Sequence, residues 1–285
     1  MKYKLLLLLF FVVSNLFAND EKMKIGILYE KIFTTKKEAR IGARLWLKQL
    51  KEKNISSNVE IIFYTDEKNL LEDYKNKKIS VVVASVSLYY ENKKLIDNIT
   101  SHRWIMSLSK GMFDRYYLIK NKENKANLKT INKSNIYYRD EMSKVWLNYL
   151  FYKNKNNSSN NNLKKIEKES SLVFNVFFNK NEISIVSKDA YDSIVSLNPQ
   201  IEQNVEIIEE SDAIFFNGIG FTRKNVASKI EKSIKLMKDN FIENEREYDA
   251  LSFSDIRKVY VLEDDDLSKT DAFYEEYLKL KKIRN

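Results

Sequence analysis

The residues of this chain best placed to do chemistry stand at one joint. Arg139, Asp140, Glu141 and Ser143 link a β-rich run, Ile136–Tyr138, to a run whose apolar residues Met142, Val145, Trp146, Tyr149 and Leu150 recur at helical spacing. A helix N-terminus presents free N–H groups and the positive end of a dipole, so such a joint either holds an anion or is closed by its own acid. Asp140 carries two readings. As a cap, its carboxylate takes the N–H groups of the first turn. Turned outward, it selects a cation or a hydrogen-bond donor.

Other candidates come after strand-like runs. Tyr29 ends the first of them. Ser85 and Ser87 follow the third, with Tyr89 and Tyr90 placed to stack on a ligand or to pack. Ser171 stands at a helix start, and Lys188 and Asp189 follow a buried strand. Each also has a plain structural role: a rim tyrosine, small residues ending a strand, an N-cap, a solvated turn.

Several chemistries are excluded. The chain has no cysteine, which removes thiol catalysis and Cys-ligated metals. One histidine, His102, cannot build a multi-His zinc site, and no G-x-S-x-G nucleophile motif occurs. Glu263 to Asp266 lacks the alternating spacing and central glycine of an EF-hand, and reads as the acidic start of the last helix. No metal or cofactor is implied.

The elements that must position these residues alternate. KIGILYE (24–30), VEIIFYT (59–65) and ISVVVASV (79–86) read as strands, separated by a helix over 36–53 and a short one over 69–77. Thr35 and Glu38 fit a capping box for the longer helix, whose buried stripe is Ala39, Ala43, Trp46 and Leu50. Val81–Ala84 is apolar on both faces, which suits mid-sheet. A second series has extended runs at 104–108, 115–121 and 134–138, a polar loop at 156–162, a buried helix at 171–180 and a strand at 182–187. Runs at 205–210 and 213–222 are extended, and 225–241, 254–260 and 267–282 are helical. Two α/β units without a flexible linker predict two lobes, with ligands held at the carboxyl ends of strands.

Lys2 and Lys4, the apolar run Leu5–Val13 and Leu16-Phe17-Ala18 form a secretory signal peptide over residues 1–18. The run is shorter than the ~20 residues that span a bilayer. Removing Lys2 and Lys4 lowers the formal charge from +9 to +7. The lysines are scattered and form no basic stripe interleaved with aromatics, which argues against nucleic acid as a partner. The expected product is exported to the periplasm, soluble, monomeric and not membrane-spanning.

The order of these features resembles the phosphonate/phosphate-type solute-binding proteins of ABC importers, which have the type II periplasmic-binding fold. KIGILYE is similar to the family's first strand, and ISVVVASVSLYY to the strand that ends in a pocket-lining loop. FDRYYLIKNKENKANLKTINKSNIYY is similar to its crossing strand together with the segment that leads into the next strand. The closest stretch is EISIVSKDAYDSIVSLNPQIEQNVEIIEESDAIFFNGIGFTRKNV, with a SKDAYD loop and the sole proline, Pro199. The resemblance implies an α/β, two-lobed type II fold, each lobe a mostly parallel sheet flanked by helices. Lobe 1 is then 22–108 plus 218–285 and lobe 2 is 109–217, with a cleft between them. It implies crossings near Ser107–Phe113 and Ala213–Gly220, where Gly111, Gly218 and Gly220 read as hinge or turn glycines. It also implies pocket residues among Tyr29, Ser85, Ser87, Tyr89, Asp140, Ser143, Ser171, Lys188 and Asp189. Family members carry a run of small hydroxyl residues where 139–144 stands; here only Ser143 matches, and Asp140 and Glu141 replace neutral donors.

The implied function is non-enzymatic capture of a small molecule for an ABC permease, with a degenerate phosphonate motif. A sensory input protein for a membrane histidine kinase uses the same fold. A secreted hydrolase would need two converging carboxylates, for which Asp140 and Asp189 are the pair.

Overall fold

The computed structural model describes residues 23–28, 59–107, 111–131, 134–154, 162–166, 168–216, 218–224, 258–263 and 265–284, with Lys37, Arg40, Ile41, Arg44 and Lys48. Those last five are helical and exposed, within the predicted 36–53 helix. Its expected buried stripe, Tyr29, the 225–241 helix and the leader lie outside the described residues.

Short alternating runs build two sheets. The chain lays down β1 (Met23–Leu28), β2 (Val59–Tyr64), β3 (Val81–Ala84) and β4 (Thr100–Ser107) in the first. It then builds a second from β5 (Tyr116–Asn121), β6 (Asn135–Tyr138), β7 (Asn162–Lys165), β8 (Glu182–Ser187) and β9 (Val205–Glu210). It returns to the first with β10 (Gly218–Arg223) and β11 (Lys258–Leu262). The orders are β11-β4-β10-β3-β1-β2 and β7-β6-β8-β5-β9. In the first sheet β1, β2, β3 and β4 run one way, and β10 and β11 oppose them. In the second only β5 opposes the rest. Both sheets are thus mostly parallel in direction, as expected, with the reversed strands at the chain crossings and at one edge.

The helices are α1 (Glu67–Lys75), α2 (Val86–Glu91), α3 (Lys93–Ile99), α4 (Glu141–Lys153), α5 (Glu169–Phe178), α6 (Lys188–Leu197), α7 (Gln200–Asn204) and α8 (Ser268–Arg284). Strand alternation sorts their packing. On β5, Tyr116 and Leu118 enter a large apolar cluster that also takes Leu28, Val82 and Phe221 from the first sheet. Tyr117 and Ile119 face the other way, onto Leu172 and Val176 of α5 and Ile201 of α7. Ile25, Ile27 and Val81 form a separate layer on the first sheet, beside Trp104. The largest cluster therefore draws on both sheets.

Four expectations change. Residues 258–262 are a strand, not the end of a helix over 254–260: Lys-Val-Tyr-Val-Leu alternates and pairs with β4. The strand over 79–86 stops at Ala84, because Ser85 caps α2. The SKDAYD segment is no loop; Ser187 caps α6, which starts at Lys188. Helix α5 begins two residues before Ser171, with Lys168 at the cap position, so Ser171 lies in the first turn and is not its N-cap. Strand β7 is absent from the sequence pattern because Asn162–Lys165 is polar; it is an exposed strand held by pairing to β6.

Candidate ligand-binding site

Strand direction fixes where a ligand edge lies. β4 delivers the chain from its carboxyl end to the first crossing, and β5 receives it running against β8. β9 delivers the chain to the second crossing, and β10 receives it running against β3 and β4. The carboxyl ends of the parallel strands in both sheets therefore turn toward the crossings, the location that open α/β sheets use for ligands. The crossings are themselves paired. The Asp114 N–H donates to the Phe215 carbonyl at 2.8 Å, and the Phe215 N–H donates to the Asp114 carbonyl at 3.1 Å. Phe215 and Phe216 are buried there.

The joint after β6 is a closed cap. Asp140 accepts the Ser143 N–H at 2.9 Å, and Ser143 Oγ reaches back to the Asp140 backbone, completing a capping box. Asp140 also accepts the Tyr116 hydroxyl at 2.9 Å, from the first residue of β5. Ser143 is buried and donates its hydroxyl to the Asp140 carbonyl at 2.7 Å. The one hydroxyl matching an anion-cradling run is thus spent within the turn. Burial pushes the Asp140 carboxyl above its ordinary range, against the lowering effect of the Ser143 N–H, the Tyr116 hydroxyl and nearby Arg139.

Three more carboxyls share this edge. Asp114 lies on the first crossing, Glu169 opens α5 and Asp189 stands in the first turn of α6. Burial raises Asp114 to about 7, with Asp189, Glu169 and Asp140 adding repulsion and the Arg115 N–H opposing it. Glu169 is raised by burial and by Asp140, and held down by Arg139 at 3.3 Å and by Ser187. The other local cations are engaged elsewhere: Arg115 pairs with Glu210 and Lys188 with Asp192. Arg139 stands beside two of these carboxyls, Glu169 and Asp140. Among the described residues no group of three or more His, Asp or Glu side chains could hold a metal ion.

The first sheet contributes Ser85 and Ser87 just beyond β3, their hydroxyls 3.0 Å apart. Ser85 is buried and accepts the Leu88 N–H at 3.2 Å. Tyr89 is wholly buried and its hydroxyl is engaged, donating to Asp97 and accepting from Arg103, each at 2.8 Å. Tyr90 donates to Asp271 at 2.8 Å. Asp140, Ser143, Asp189 and Lys188 thus share the second-sheet edge, while Tyr89 is packed behind the first. Sequence reasoning misses Asp114, Glu169 and Tyr116. The available signal is position, since each adjoins a strand end, but the crossing that gathers them is a tertiary event. Gly218 and Gly220 lie within β10 and not in a crossing. A Cβ on Gly220 would stand 1.9 Å from the Trp104 ring, so this glycine serves close packing.

No family model and no curated protein matches the sequence. Solved structures do match. A binding-protein component of an ABC phosphonate transporter from Pseudomonas aeruginosa aligns with TM-score 0.59 and 13% identity, over 92% of this chain and 88% of its own. PhnD1 of Prochlorococcus marinus, in complex with methylphosphonate, aligns with TM-score 0.58 and 12% identity, over 91% and 98%. The periplasmic aliphatic sulphonate-binding protein SsuA of Escherichia coli aligns with TM-score 0.51 and 7% identity, over 92% and 94%. The fold is that of periplasmic solute-binding proteins. The resemblance read from the sequence is therefore found again in three dimensions, at identities where backbone topology persists and side-chain chemistry does not carry over. No helix among the described residues is long and apolar enough to cross a membrane.

Proposed function

We propose that this protein is an exported, non-enzymatic solute-binding protein. It captures a small cationic or hydrogen-bond-donating molecule between two lobes, 22–108 plus 218–285 and 109–217, and delivers it to an ABC permease. Residues 1–18 act as a cleaved signal peptide, and the mature protein works as a periplasmic monomer. The observation that carries the ligand class is the gathering of Asp114, Glu169 and Asp189 around the capped Asp140, at the edge where the strand ends meet the crossings. A carboxylate facing an anion repels it, and more strongly as the site dries. The hydroxyl and N–H of Ser143, which a phosphonate would need, already serve Asp140. The carboxyls do not converge as metal ligands, which favours an extended organic cation over an ion. The commitment of Asp140 to its cap also argues against a carboxylate-pair hydrolase.

Thermal unfolding of residues 19–285 against phosphate, phosphite, alkylphosphonates, sulfonates, polyamines, thiamine-like cations and amino acids tests this. Binding to the native state alone adds RT ln(1 + [L]/Kd), about 2.7 kcal/mol at a hundredfold excess over Kd. Upward shifts confined to cationic compounds are expected. A shift confined to phosphonates or sulfonates would sink the cationic reading and leave the binding role standing. No shift from any compound would remove both.

A further inference from the structure

Helix α8 bridges the two sheets a third time, beyond the two crossings. Successive residues of α8 touch different bodies. Thr270 Oγ1 donates to the Ile214 carbonyl in the return crossing at 2.8 Å, and Phe273 meets Phe215 edge-on with centroids 5.2 Å apart. Toward the first sheet, Asp271 accepts the Tyr90 hydroxyl at 2.8 Å and lies 3.5 Å from Lys93, while Tyr274 stacks on Tyr90 at 3.8 Å. Toward the second, Tyr274 donates to Met142 Sδ at 2.8 Å, and Phe273 meets Tyr149 at 5.0 Å. Tyr277 stacks with Tyr152 at 6.0 Å, and Glu276 accepts the Tyr149 hydroxyl at 3.0 Å.

These two grips differ in kind. The grip on α4 is spread over Phe273, Tyr274, Glu276 and Tyr277, with two ring contacts and two hydrogen bonds shared among Met142, Tyr149 and Tyr152, so no single contact decides it. The grip on Tyr90 occupies one turn and depends on a directional hydrogen bond and a close ring stack, both lost over a short shift. We propose that α8 is a conformational strap. Although the chain order assigns α8 to the first lobe, it packs along α4 and rides with the second sheet, and its hold on Tyr90 is made in only one relative setting of the sheets. Breaking or keeping that hold then sets the balance between open and closed forms, and so ligand affinity, from a helix outside the ligand edge. The inference rests on the reading of the two sheets as moving lobes.

The chain has no native cysteine, so Glu72→Cys with Ser196→Cys gives a clean pair of spin labels, one on an exposed position of each body. Pulsed dipolar spectroscopy would read their separation in the otherwise wild-type protein, in Tyr90→Phe and in Tyr149→Phe. Tyr90→Phe keeps the ring and removes only the bond to Asp271. Losing one buried hydrogen bond present in a single state shifts a two-state ratio by roughly fivefold. A redistribution of about that size is expected in Tyr90→Phe, with Tyr149→Phe superposing on the wild type. If several separations are populated but Tyr90→Phe leaves them unchanged, or Tyr149→Phe moves them as much, the strap is refuted while the hinge survives. If one separation is found in every protein, with and without the compounds of the thermal panel, the moving lobes fail and the strap with them.

Discussion

Asp140 accepts hydrogen bonds from two elements at once, the first turn of α4 and the start of β5. Its two expected roles, cap and selectivity residue, therefore separate by substitution. Asp140→Ala removes the cap, worth about 1 kcal/mol, and leaves the buried Tyr116 hydroxyl without its acceptor, at a further cost of about 1–3 kcal/mol. Asp140→Asn keeps an acceptor oxygen and removes a charge that burial already disfavours, so its stability should stay within about 1 kcal/mol of wild type. Urea unfolding of both variants checks this; equal losses would mean that the charge, and not the hydrogen bonding, holds the joint. Asp114 governs pH dependence. Its folded value of about 7 lies above the value near 4 of an unfolded aspartate, so the native state binds this proton more tightly. The stability it contributes is full below about pH 4 and is lost as pH rises through 7. Asp140 and Glu169, also raised, pull the same way. Asp114→Asn should flatten the fall in unfolding free energy between about pH 4 and 7.5 and be the more stable protein at the upper end. An unchanged slope would place the titration elsewhere.

At the scale of elements, alternation and capping made much of the fold legible. The Tyr116/Leu118 and Tyr117/Ile119 pairs divide between two cores as a period-2 pattern requires. Helix α4 starts where its apolar spacing starts. What escaped were elements whose stability is borrowed. β7 has no buried face to announce it and exists through β6. β11 reads locally as an end of helix until an open edge at β4 receives it. Glycines were the least legible. Gly220 stands opposite Trp104 in the β10–β4 register, and the indole occupies the space a side chain would need. Gly220→Ala should cost about 1–3 kcal/mol as an overpacked contact, read as a lower denaturation midpoint with unchanged slope. A neutral result would show that Trp104 turns aside freely.

For the molecule as a whole, charge is distributed against its sum. The chain carries a formal +9, yet its candidate ligand edge gathers carboxyls. Screening reconciles the two: at physiological salt the Debye length is about 8 Å, so dispersed surface lysines would act weakly on a cation at this edge while the nearby carboxyls would act at close range. Binding of a cation from the panel should therefore weaken as sodium chloride is raised from low to high concentration, measured by titration calorimetry. Affinity that rises with salt would mean that the global positive charge, not the acidic edge, meets the ligand.

The sequence by itself determined the alternating α/β order, the cap potential of Asp140 and Ser143, and the absence of thiol and multi-histidine chemistry, because these depend on residue type and on neighbours a few positions away. Only the tertiary structure decided that Asp140 is occupied by Tyr116 as well as by its own helix, that Asp114 and Glu169 belong beside it, and that Tyr89 is packed out of reach. Those facts depend on strand direction and on two chain crossings that bring together residues as far apart as Asp114 and Phe215, 101 positions. Local periodicity carries no trace of such pairings, since the free energy that fixes them comes from the shared core of the two sheets.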